Sequence, residues 1–117
     1  MQEYADAPDL TLGGYLQEWG RPPGFSGSDG QPYSVAVDVD ETGDPGRPYA
    51  AFLIFPRWAD TGVAIMEHLE SGDVAHGDTA AAARAAALEL TLFQIKAELD
   101  AAIQRRRAGG VDESSAA

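Results

Sequence analysis

The sequence predicts an α+β domain of two layers: an antiparallel β-meander of three to four strands packed on one long C-terminal helix, with a short helix near the N-terminus. Three observations predict it. Residues 33–41 (YSVAVDVDE) alternate apolar and polar side chains with a period of two, the pattern of a strand with one covered face. Residues 48–58 (PYAAFLIFPRW) are apolar on both faces for much of their length, and the TGDPGR run before them is turn chemistry, so the two stretches read as a hairpin with the second strand central. Thr79 to Arg107 contains neither Gly nor Pro over 29 residues, a length of about 43 Å if wholly helical.

Taken in order, residues 1–9 are a loose lead-in. Thr11 caps a short helix to Trp19 that presents Leu12, Tyr15, Leu16 and Trp19 on one side. Gly13 and Gly14 weaken it by about 1 kcal/mol each relative to alanine, and Gly20 with the Pro22-Pro23-Gly24 run ends it. Residues 25–31 (FSGSDGQ) form a polar loop. Its GSDG lacks the lysine of a phosphate loop and the acidic spacing of a calcium loop, so it reads as a plain turn.

In the first strand Tyr33, Val35, Val37 and Val39 point one way and Ser34, Ala36, Asp38 and Asp40 the other. Asp44-Pro45-Gly46 centres the hairpin turn, and Pro56 ends regular pairing in the second strand or marks a bulge. Residues 59–62 turn the chain into a third strand, Val63 to Leu69. Ser71-Gly72-Asp73 is a further turn, and Val74 to His76 is a short edge segment.

Gly77 lets the chain swing sharply out of the sheet, and Asp78 and Thr79 are both good N-caps for the long helix. The third residue after either is alanine, so no capping box is expected there. Leu88, Leu92, Ile95, Leu99 and Ile103 make one helical stripe, continued backwards by Ala81 and Ala85, and Leu90, Phe93 and Ala97 widen it. The alanine-rich half suits close approach to a sheet. The leucine-rich half overhangs a sheet of short strands, of about 20 Å, and calls for residues 10–19 or another subunit as cover. Arg105, Arg106 and Arg107 sit in the expected last turn, where cations meet the negative end of the helix dipole, and Gly109 and Gly110 stop the helix. The domain so read covers 1–107, with 108–117 a disordered tail.

Composition narrows the function. The 117 residues carry 19 acidic and 8 basic side chains, a net charge of −11, which opposes nucleic-acid binding through a diffuse basic surface and suits a basic protein partner. There is no cysteine, hence no disulfide framework or thiolate metal site. The start lacks the basic and apolar regions of a signal peptide and no apolar run is long enough to span a membrane, so a cytoplasmic location is expected.

Several side chains are weighed for chemistry. Arg57 and Trp58 follow the central strand, and both residue types anchor interfaces, although a Trp there also serves to close the end of a core. His68 and His76 are the only histidines and lie near Glu67, Glu70, Asp73 and Asp78, but without the spacing of a metal motif. One reads as a histidine on the open sheet face, the other as a hydrogen-bonding group near the helix cap. Asp38, Asp40 and Glu41 are explained by a solvated strand face, and Ser71 near His68 by a turn. No cofactor is called for. Catalysis needs a perturbed acid or a nucleophile–base pair in a cleft, and none stands out, so the chain reads as a non-enzyme with Arg57, Trp58, His68 and His76 as candidate partner contacts. A small metal-dependent hydrolase is the distant alternative.

Phe55-Pro56, then Val74, His76, Gly77, Asp78 and Thr79, then Ala83 and the Leu88–Leu92 stretch, resemble the HicB-like antitoxin domain over about half of the chain, from Tyr33 to Leu92. The resemblance implies a small antiparallel sheet on a helix that starts directly after the Gly-Asp-Thr signature, and a regulator that masks a basic RNA-cleaving toxin. The sequence departs from the pattern where Arg57 to Asp73 intervene, where alanines replace a Glu-Glu-Ala-Leu segment, and in having no DNA-binding segment after the helix. A stand-alone homodimeric assembly domain without a toxin partner is the second expectation, since an uncovered sheet face and an overhanging helix both call for burial. Acidic character favours the first, because acidic inhibitors steer onto basic partners.

Overall fold

The computed structural model describes residues 10–59 and 65–116, with side chains described to 108. The α+β fold is as the sequence predicts. A five-stranded antiparallel sheet is built from β1 (Phe25–Ser26), β2 (Pro32–Tyr33), β3 (Ala36–Glu41), β4 (Tyr49–Trp58) and β5 (Ile65–Gly77). Helix α1 (Leu12–Trp19) precedes it, and α2 (Ala80–Leu88) and α3 (Leu92–Ala116) follow. The long apolar β4 is central. β2 and β3 take successive stretches of one edge, with Tyr33 opposite Arg57 and Ala36 opposite Ile54, and β5 takes the other edge from Ile65 to Gly77.

One face of this sheet is covered by helices. Tyr33, Val35, Leu53, Phe55 and Leu69 point into the core, as alternation requires, and meet Leu92, Ile95, Leu99 and Ile103 of α3 with Leu12 and Tyr15 of α1. The leucine-rich helix is thus covered by residues 10–19, one of the two covers its sequence calls for. A second, tighter contact joins Ala83 and Ala87 of α2 to Ala51, all fully buried. Small side chains let α2 come close, and Gly77 is part of that fit: a Cβ there would lie 2.5 Å from the backbone N of Ala83. The hairpin turn is held as its residues dictate, with the Asp44 carboxylate accepting from the Gly46 N–H at 2.9 Å.

The structure corrects the sequence reading at several points. The predicted single helix is two. At the break Thr91 caps α3 by accepting from the Gln94 N–H at 3.1 Å, and the Gln94 side chain accepts from the Thr91 N–H at 2.9 Å. This is a capping box in mid-helix sequence. The strand-like segment before α1 fixes it in place: the Leu12 N–H donates to the Leu90 carbonyl and the Leu92 N–H to the Leu10 carbonyl, both at 2.8 Å. Because the break resets the helical phase, Ala83 and Ala87 are buried in place of Ala81 and Ala85, while Phe93 and Ala97, on the same helix as the Leu92–Ile103 stripe, lie on its exposed side. The helical backbone runs on through Gly109 and Gly110 to Ala116; two glycines cost about 2 kcal/mol, too little by themselves to end a helix of this length. The Arg105–Arg107 run is therefore not a last turn.

The Ser71-Gly72-Asp73 turn and the separate edge segment are instead one strand. The ladder with β4 slips at Phe52–Ile54, and the Ser71 hydroxyl repairs it by accepting from the Leu53 N–H at 2.9 Å while donating to the Gly72 carbonyl at 2.6 Å. A bulge thus replaces the turn. The first strand breaks at residues 34–35, and the polar 25–31 loop contributes β1. The expected turn at 59–62 and the start of the third strand at Val63 fall mostly outside the described residues. Thr11 and Thr79 cap α1 and α2 as their sequences predict, and Gly20 ends α1 at φ 70°.

Candidate functional site

The uncovered face of the sheet is set by the residues that alternate with the core. On β4 these are Phe52, Ile54, Pro56 and Trp58, half-buried between the fully buried Ala51, Leu53 and Phe55. Cross-strand register places acids beside them. Phe52 lies between Asp38 of β3 and Asp73 of β5, Ile54 faces Glu70, and Ala50 lies between Asp40 and His76. The apolar strip continues through Trp58 to Ile65, whose side is 56% exposed, with Met66 beside it at 57%. The open face is thus an apolar centre line rimmed by carboxylates.

Three of the four residues singled out from the sequence lie on this face. Trp58 packs at one end of the strip and donates its indole N–H to the Ser34 hydroxyl at 3.1 Å. His68 is exposed, 3.4 Å from the Glu70 carboxylate, and His76 is half-buried, 3.9 Å from Asp73. Both histidines sit on β5 eight residues apart, about 25 Å along a strand, so they do not converge. Among the described residues no group of three His, Cys, Asp or Glu side chains is placed to hold a metal ion. Ser71 is committed to the β-bulge and faces the core rather than His68.

Arg57 points the other way, as the neighbour of Trp58 on a strand must. Its Nε donates to Glu67 at 2.7 Å and one terminal nitrogen to the Gln31 side chain at 3.2 Å. Arg106 of α3 pairs with the other oxygen of Glu67, and Arg105 donates to the Glu70 carbonyl at 3.3 Å. Hydrogen bonds from Arg106 and then Arg57 hold the Glu67 carboxyl below its usual range. A pocket of about 150 Å³ opens here, lined by Asp29, Tyr33, Glu67, Ile103, Arg106 and Arg107 among others. The Tyr33 hydroxyl donates to Asp29 at 2.9 Å. Burial, reinforced by that bond to the Asp29 carboxylate, pushes its pKa up to about 12.

A phenol that stays protonated at neutral pH and a carboxylate held ionised between two guanidiniums are poor acid–base catalysts. The pocket instead ties α3 to the sheet. It also holds Arg57, Arg105 and Arg106 on the helix side, while Asp38, Asp40, Glu70 and Asp73 rim the open face, with Arg47 lining a small pocket beside Asp73 and His76 at one end. Sequence reasoning missed this separation because Arg57 and Arg105–Arg107 lie far from Glu67 along the chain. The one available signal was the strand parity of Arg57 and Glu67. Among the described residues no helix is long and apolar enough to cross a membrane. No family model, curated protein or solved structure matches the chain.

Proposed function

We propose that the chain is a non-catalytic interaction domain, comparable in role to a HicB-type antitoxin, whose open sheet face receives a small basic protein. The observation that carries this reading is the apolar line of Phe52, Ile54, Pro56, Trp58 and Ile65 with Asp38, Asp40, Glu70 and Asp73 along its sides. The net charge of −11 supports it by favouring encounter with a cationic partner. Trp58 is the anchor at one end. His68 and His76 are rim contacts, and Arg57 acts from behind by holding β4, β5 and α3 together.

The test is co-expression with a small basic RNA-cleaving protein encoded beside this gene. The wild-type chain is expected to co-purify with it and to relieve its toxicity. Reversing Asp38→Lys and Asp73→Lys together is expected to abolish both, while the circular dichroism spectrum stays that of the wild type. Undiminished binding by the charge-reversed chain overturns the assigned surface, and the absence of any such neighbouring gene overturns the toxin partner.

A further inference from the structure

The segment between the two covering helices is one that its backbone geometry does not require. Only Glu89, Leu90 and Thr91 separate α2 from α3. No described residue other than glycine has a positive φ, and Glu89 lies at φ −83° and ψ −7°, close to helical values. Glutamate and leucine are among the better helix formers, so an unbroken helix is locally open to this stretch. What keeps it broken is one restraint from outside, the two backbone bonds from Leu10 and Leu12, and one local restraint, the box between Thr91 and Gln94.

We propose that residues 89–91 are a hinge through which two copies of this chain exchange α3. In each copy α2 and α3 join into one helix, and the stripe of Leu92, Ile95, Leu99 and Ile103 seats on the sheet and α1 of the other copy. α2 stays on its own sheet, where Ala83 and Ala87 close on Ala51 and the Gly77 backbone leaves no slack. The stripe is fully buried in the single chain and does not stand in water, so a straightened hinge requires an equivalent surface, and only a second copy offers the same one. Exchange preserves the contacts of α3 and changes only which chain supplies them. The two states differ at the hinge: the bonds from Leu10 and Leu12 and the capping box are lost, and three further residues gain helical bonding. Short hinges whose local preference opposes the closed form favour exchange. Leu10 and Leu12 act as the latch that holds the single chain closed.

The proposal is independent of what the open face binds, and cysteine chemistry tests it in the full chain. The native sequence has no cysteine, and the Ser28 N–H lies 3.0 Å from the Asp100 carboxylate, joining the β1–β2 loop to α3. Ser28→Cys with Asp100→Cys should therefore close a disulfide within a monomer but between chains in an exchanged dimer. Thr91→Ala, which removes the cap and favours helix, is expected to raise the dimer association constant about tenfold. Glu89→Gly, which disfavours only the joined helix, is expected to lower it about fivefold. The dimer is isolated by size exclusion with light scattering, oxidised, and run on a non-reducing gel; a covalent dimer is the expected result. Amide exchange gives a second readout: the Leu12 N–H should lose protection in the dimer because its Leu90 acceptor is gone, while Leu92, which exchanges its bond to Leu10 for one within the joined helix, keeps protection along with Ile95 and Leu99. A Thr91→Ala chain that remains monomeric at its highest soluble concentration overturns the proposal. So does a dimer in which the disulfide closes within each chain, or in which Leu12 stays protected.

Discussion

The two faces of β4 carry residues of similar hydrophobicity and do opposite work. Ala51, Leu53 and Phe55 are fully buried under α2 and α3, whereas Phe52, Ile54 and Pro56, alternating with them, remain partly open to water. The difference lies in their neighbours. The covered face is bordered by Val37, Val39, Val74 and Ala75, and the open face by Asp38, Asp40, Glu70 and Asp73. Apolar character alone does not decide which side of a central strand becomes core; the flanking strands do, by offering either more apolar surface or a charged border. The same contrast separates core from open face, and four substitutions measure it.

The largest effect is expected where the two faces are compared directly. Phe55→Ala should cost about 4 kcal/mol, and Phe52→Ala about 1 kcal/mol because its ring is only partly removed from water. Urea denaturation of both variants checks this, and equal losses would mean that the open face is structural. Next comes the seam between the faces. Ser71→Ala leaves the buried Leu53 N–H without its acceptor and should cost about 2 kcal/mol, with faster amide exchange at Leu53 as the local sign. The smallest effect concerns the ion pairs behind the sheet. Glu67→Gln should cost about 1 kcal/mol at neutral pH. Because the folded-state pKa of Glu67 is depressed, its contribution is present above the ordinary value of 4.5 and is lost as pH falls through the lowered one. Wild type and Glu67→Gln should therefore converge in stability in acid, and a gap that persists or widens there would assign the effect to packing.

The sheet was legible because its signals are local. Period-two alternation in residues 33–41 named the covered face of the first strand, down to Tyr33 and Val35, and the two-sided apolar run in 48–58 named the central strand. The caps at Thr11 and Thr79 followed from residue type. The break at Thr91 was not legible in the same way. Its Thr-Leu-Phe-Gln box lies inside a sequence with no helix breaker, and the bonds that hold it open come from Leu10 and Leu12, far away in the chain. Nor was the bulge at Ser71, where Ser-Gly-Asp reads equally well as a turn. The candidate surface was half legible. Trp58, His68 and His76 were singled out individually, but their shared face follows from pairing register, and the removal of Arg57 from it follows from strand parity.

The backbone link between Leu10–Leu12 and Leu90–Leu92 also sets an order of events during synthesis. The N-terminal segment leaves the ribosome long before its partner exists, so Leu12 and Tyr15 wait without cover while the hairpin and then β5 assemble. Closing that long loop comes late and carries the entropy of most of the chain. A nascent chain halted before Leu90 is therefore expected to hold a formed meander and an undocked first helix. In that interval, chaperones have their opportunity.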